Sequence, residues 1–226
     1  ASFAQAAFWF NGTNSIVYSS TTAPELDNMP KISITAWIFP ISLGEANFGG
    51  IVGKRNSVGS TIGWFMFMNA IGGAGQKQVE LRIFHSTTLR IIRSCDCITF
   101  NRWNHIVVTW DGSTGAEGGK MYINGISIVL QLNQAGAGTR NDDTNEDIAI
   151  GNNHETTRAF YGAIAEVRVY NRELMAVEAR SIYYGWYIPR RGLVGYWPLY
   201  NVSSEAWDYS GLKSIGKLSL IQQFRH

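Results

Sequence analysis

The feature that most limits what this chain can fold into is a succession of short segments in which apolar and polar residues alternate, or in which β-branched and aromatic residues run together. They occur at 15–20, 33–40, 63–69, 79–85, 89–94, 103–112, 120–130, 147–152 and 162–171. Side chains on a strand point to alternate faces, so this period of two predicts strands. Between the segments lie turn signals, among them Asn-Gly at 11–12 and 124–125, Asp-Gly at 111–112 and the polar run at 139–147. Such punctuation favours hairpins and antiparallel sheets. The expectation is an all-β, two-sheet antiparallel sandwich.

One helix interrupts the pattern. Asn171 can cap a segment in which Leu174, Val177, Ile182 and Tyr183 recur at helical spacing before Gly185, so a short helix is predicted near residues 172–184. In 103–110, Trp103, His105, Val107 and Thr109 share one face and Asn104, Ile106, Val108 and Trp110 the other. Apolar bulk on both faces marks an interior strand.

Composition removes several classes of function. Charged residues make up 16% of the chain and the net charge is +2, with no basic stripe beyond Arg190-Arg191, so nucleic-acid binding is not expected. No apolar run approaches the roughly 18 residues that span a bilayer, so membrane insertion is not expected either. The opening ASFAQAAFWFNG lacks the basic start and apolar stretch of a signal peptide. Its initial Ala fits prior removal of a leader or propeptide and also fits a trimmed chain. Cys95 and Cys97 flank Asp96 on one strand face, which allows either a tight disulfide or two free thiols.

Four segments taken together resemble the laminin-G-like, concanavalin-A-like jelly-roll family: FNGTNSIVYS at 10–19, SITAWIFP at 33–40, WNHIVVTWDG through KMYINGI at 103–126, and GAIAEVRVYNREL at 162–174. The resemblance implies a jelly roll over residues 1–187. The remaining segment, 188–226, reads as a linker at Pro189 followed by LVGYWPLY and the turn Asp208-Tyr209-Ser210-Gly211. That tail resembles the usual opening of a family domain. It is expected to complete the same sandwich or to add a strand to a neighbouring copy.

Family members often hold Ca2+ through acidic residues whose positions here are Asn11 and Ala165. A second candidate set is Asn141, Asp142, Asp143, Asn145, Glu146 and Asp147, rich in the oxygen ligands Ca2+ prefers but without EF-hand spacing. The metal candidates are thus Asn11, Asp142, Asp143, Asn145 and Asp147, weighed against a solvated acidic loop.

Sugar recognition pairs an aromatic platform with amide or guanidinium groups that bind hydroxyls. Trp9, Trp64, Trp186, Tyr187 and Trp207 are candidate platforms. The ligand-binding set is Trp64, Arg140, Asn152, His154 and Arg158, in rim loops at 44–60, 113–119 and 136–158.

Catalytic signals fail on their chemistry. The HETTR stretch at 154–158 lacks a second histidine for zinc, and GLKSIGK at 211–217 lacks the hydroxyl and the βαβ unit of a phosphate loop. Glu25 and Asp27 would sit in a turn before Pro30 instead of on a rigid strand face, as paired glycosidase carboxylates require. Asn11-Gly12-Thr13 and Asn201-Val202-Ser203 fit glycosylation sequons.

The expected function is a non-catalytic module on a virion or cell surface, binding a glycan or another surface ligand, or associating with copies of itself or a scaffold through residues 188–226. The Ile188-Pro189-Arg190-Arg191 stretch resembles one found after the final helix in phage virion proteins of this family. The alternative is a secreted, Ca2+-dependent lectin-like module; a glycoside hydrolase trails both.

Overall fold

The computed structural model describes residues 7–19, 24–55, 59–71, 75–200, 205–211 and 217–221. The second sequon, most of the phosphate-loop-like stretch and residues 56–58 lie outside them; the stretch 44–60, expected as a rim loop, carries a buried strand at Gly50–Lys54. Among the described residues sixteen strands follow one another, beginning with β1 (Phe8–Asn11), β2 (Ile16–Tyr18), β3 (Ile32–Pro40), β4 (Gly50–Lys54), β5 (Trp64–Asn69), β6 (Gln78–Ile83), β7 (Arg90–Arg93) and β8 (Asn104–Trp110). They continue as β9 (Gly119–Ile123), β10 (Ile126–Ser127), β11 (Leu132–Gln134), β12 (Ile148–Ile150), β13 (Tyr161–Tyr170), β14 (Leu193–Trp197), β15 (Glu205–Trp207) and β16 (Lys217–Ile221).

They form two antiparallel sheets. The first runs β1-β13-β3-β8-β9-β10, with β14 also paired to β13; the second runs β11-β7-β6-β5-β4-β12-β2-β16-β15. This is the expected sandwich. The core fills the space between the sheets with the inward faces of both, including Ile34, Ala36, Ile106, Val108 and Trp110 from the first sheet and Val52, Trp64, Met66, Leu81 and Ile92 from the second. Each buried Val, Leu, Ile or Met side chain among them contributes on the order of 1.5–3 kcal/mol.

β8 lies between β3 and β9, with all seven residues buried, as an interior strand requires. Its second face meets another apolar cluster, in which Val107, Tyr122, Tyr170 and Leu193 pack against Leu174, Ala179 and Ile182 of the helical segment. The β9–β10 hairpin turns on Asn124 (φ 52°) and Gly125 (φ 77°), the left-handed pair that an Asn-Gly two-residue turn supplies.

The helix, α1 (Ala176–Tyr184), begins four residues later than the sequence predicts. The Ser33 hydroxyl donates to Arg172 O (2.7 Å) and accepts the Leu174 N–H (3.0 Å), which ties residues 172–174 to β3 and keeps them out of the helix. The start is set instead by Glu178, whose carboxylate accepts the Met175 N–H (2.9 Å) and pairs with Arg172 (2.6 Å). Gly185 (φ 69°) ends the helix: its N–H reaches Ile182 O (3.1 Å), while that of Trp186 reaches Ser181 O (3.1 Å).

In the tail, β14 pairs with β13 of the same chain and β16 with β2. Cys95 and Cys97 are joined as a disulfide. Among the described residues no helix is long and apolar enough to cross a membrane.

Candidate functional site

Most of the expected binding residues are occupied with holding the fold together. Trp64 is corrected first: it is fully buried in the core, because β5 turns its even-numbered residues inward. Asn152 is also fully buried, and its carbonyl accepts the N–H groups of Asn153 and Arg158 (2.9 Å each). Arg140 donates to Met29 O and pairs with Asp143. Of the five ligand-binding candidates His154 is exposed, Arg158 is half-buried, and Arg140 reaches the surface only in part, its side chain being 13% exposed. His154 lies against Tyr18 and 3.6 Å from Asp147. Arg158 lines a pocket with Phe48, Arg55, Phe65, Phe67 and Arg82 on the outer face of the second sheet.

The metal candidates do not assemble. Asn11 is paired with Tyr161, whereas Ala165 lies four residues further along β13, a separation of about 13 Å at the strand rise. The Asn11 side-chain oxygen already accepts the N–H groups of Thr13, Asn14 and Ser15 (3.0–3.1 Å), and the buried Ala165 offers no side-chain oxygen. In the acidic loop, Asp143 points inward, fully buried, between Lys54 and Arg140. Asp142 accepts hydrogen bonds from the Thr144 hydroxyl and the Asn28 amide, which hold its carboxyl down at about 2. Asp147 faces His154, and Asn145 is engaged in an interaction of its own. No group of three or more His, Cys, Asp or Glu among the described residues is placed to hold a metal ion. Asp27, from the carboxylate pair considered for catalysis, forms an ion pair with Lys54 (2.8 Å).

A cleft of about 330 Å³ lies in the tail and is lined by Tyr196, Pro198, Leu199, Tyr200, Glu205, Ala206, Trp207 and Tyr209. Its geometry starts at a bulge in β13, where Glu166 takes a left-handed φ of 55° and donates its N–H to Pro198 O (3.1 Å). That bulge aims the Glu166 carboxylate at Tyr196, whose hydroxyl donates to it (3.0 Å). Arg168 pairs with the same carboxylate and covers the Tyr196 ring at 4.2 Å. Burial pushes the Tyr196 phenol up to about 12, which keeps it a donor.

The opposite wall hangs on Asp208, which accepts the N–H groups of Tyr196 (2.8 Å) and Ser210 (2.9 Å) and the Ser210 hydroxyl (2.7 Å). Tyr209 closes the link by donating its N–H to Tyr196 O (2.7 Å). With the backbone fixed, the rings of Tyr200, Trp207 and Tyr209 stand 44%, 55% and 62% exposed around the cleft. Sequence reading named Trp207 as a platform but missed its partners. The Asp208-Tyr209-Ser210-Gly211 turn after LVGYW was the available signal, because a turn whose aspartate caps a strand brings the two segments together.

Residues 10–180 match the family model of the concanavalin A-like lectin/glucanases superfamily. A comparison with curated proteins gives no match. Among solved structures, a candidate carbohydrate-binding protein of Bacteroides ovatus superposes with a TM-score of 0.66 at 17% identity, over 96% of this chain and 58% of that one. This chain thus spans less than two thirds of that protein. Domain 4 of AbnA, an extracellular arabinanase of Geobacillus stearothermophilus, in complex with arabinotriose, superposes with a TM-score of 0.52 at 18% identity, over 78% of this chain and 75% of that one. The CBM40 module of a Ruminococcus gnavus sialidase, bound to α2,3-sialyllactose, gives 0.58 at 12% identity, over 79% and 96%. At these identities the superpositions speak for the fold, and the family match decides membership: the chain belongs to the concanavalin A-like lectin/glucanases superfamily.

Proposed function

We propose that this protein is a non-catalytic glycan-binding module displayed outside the cell or on a virion, and that it holds its sugar in the cleft of Tyr196, Tyr200, Trp207 and Tyr209. The observation that carries this reading is the set of exposed rings around a cleft whose walls are fixed by Glu166 and Asp208. Aromatic faces take the C–H face of a pyranose, and a rigid wall keeps the ordering cost of binding low. Glu205 is the carboxylate among the lining residues and serves as a hydroxyl acceptor. Hydrolysis by the usual route needs two carboxyl groups facing each other across the glycosidic bond, which this lining does not supply. The solved relatives that carry carbohydrate ligands support the same reading.

A glycan array followed by calorimetric titration tests it. Trp207→Ala is expected to weaken the best neutral ligand about tenfold, in line with the loss of one stacking platform. Retained affinity in Trp207→Ala and in Tyr209→Ala would remove the cleft as the site. Parallel titrations with Ca2+ and with a chelator test the calcium-dependent alternative.

A further inference from the structure

The pocket that contains Arg158 has a chemistry of its own. The alternation of β5 that sends Trp64, Met66 and Met68 into the core sends Phe65 and Phe67 to the outer face, where their rings stack 5.1 Å apart. Phe48 adds a third ring, 5.6 Å from Phe67. Facing Phe65 on β4 are glycines, and a Cβ at Gly53 would lie 2.5 Å from the Phe65 ring. The sequence therefore leaves the β4 backbone bare so that the ring can lie on it.

Three guanidinium groups close the pocket. Arg82 stands opposite Phe65 in the β5–β6 register and covers the Phe67 ring at 5.0 Å; Arg158 covers Phe48 at 5.5 Å; Arg55 enters from the end of β4. None of the residues lining this volume of about 140 Å³ is acidic. Arg82 has a carboxylate beneath it, but that group, the buried Glu80, is shared with Arg93 and accepts from Asn69 as well. One negative charge is thus divided between two guanidiniums. Burial, and then the charges of Arg82 and Arg158, bring Arg55 down to about 10, with Glu146 and Glu155 acting in the opposite sense.

Arginines that merely cover aromatic rings on a surface need not converge on one concavity. Three that do so repel one another, and an anion between them would relieve that repulsion. We propose that this pocket binds the carboxylate of an acidic sugar, a uronic or sialic acid residue, with its ring against Phe48 and Phe67. A guanidinium matches a carboxylate through two parallel N–H donors, which sets this site apart from the tail cleft, whose charged lining residue is Glu205. Only the sugar part of the inference rests on the glycan-binding reading; the negative charge follows from the arginines.

Titration of the full chain with methyl glucuronide, N-acetylneuraminic acid, methyl glucoside and acetate tests it. One of the two acidic sugars is expected to bind at least about tenfold more tightly than methyl glucoside and than acetate, and to weaken as salt rises. Arg158→Gln, at a half-buried position, is expected to remove about tenfold of that affinity, Arg158→Lys less, and Trp207→Ala none. The proposal is overturned if neither acidic sugar outbinds methyl glucoside, if acetate binds as well as the sugar, or if the preference survives both Arg158→Gln and Arg82→Gln. Neutral-sugar binding that depends on Trp207 with no acidic preference would leave the glycan reading standing alone. An acidic preference that depends on Arg158, with neutral-sugar binding also unchanged by Trp207→Ala, would keep this pocket and remove the tail cleft as a sugar site.

Discussion

His105 occupies the second position of β8, with its ring 4.9 Å from that of Trp37 and 5.9 Å from that of Tyr183, and neither ring nitrogen finds a hydrogen-bond partner. Burial, reinforced by the charge of Arg168, pushes its pKa from 6.5 down to about 3. The unfolded chain therefore takes up a proton below about pH 6.5 that the folded chain refuses, so stability is full above that value and falls as the pH drops toward 3. The slope from this residue approaches about 1.4 kcal/mol per pH unit. Burial lowers His85 too, with the same sign. Urea unfolding at a series of pH values from about 5 to 7 is expected to show this loss, and His105→Phe to flatten the profile; an equal slope in the variant would show that the ring is hydrated. The face that His105 occupies is readable from the alternation of 103–110, but its burial is not, because Tyr183 arrives from α1.

At the scale of elements, the segments that announce themselves do so by local chemistry. Asn124-Gly125 makes its hairpin, Gly185 ends its helix, and β8 carries apolar residues on both faces because both are covered. By contrast β4, β11, β15 and β16 give no comparable signal. In β4 the glycines that spoil the strand pattern are there to admit the Phe65 ring, a requirement set by β5. β4 ends in Lys54, fully buried, paired with Asp27 (2.8 Å) and donating to Asp143 O, so that one ammonium ties the strand to two loops. Lys54→Met would leave Asp27 short of its counter-ion and take one cation from the fully buried Asp143. It is expected to cost about 3–5 kcal/mol in a denaturant titration. A loss below about 1 kcal/mol would mean that water reaches these carboxylates.

Over the whole molecule, the tail links the sheets: β14 covers the edge of β13 in the first, and β16 extends the second from β2. Trp197, fully buried, and Leu199 belong to the central core although they lie outside the family match at 10–180. The chain is expected to have the mass of one copy, 25.1 kDa, by light scattering, and a chain ending at Tyr187 to lose solubility or unfold at lower denaturant. A larger mass that falls to one copy on removing 188–226 would instead mean a strand exchanged between copies. Fold class, interior strands, the turns and the end of α1 are determined by the sequence itself, because alternation, Asn-Gly and Gly act through a few neighbouring residues. The sites are decided by tertiary structure alone. Whether Trp64 faces core or ligand, whether Asp143 meets calcium or Lys54, and whether Arg55, Arg82 and Arg158 meet at all depend on strand register and on segments far apart in the chain, which local patterns do not encode.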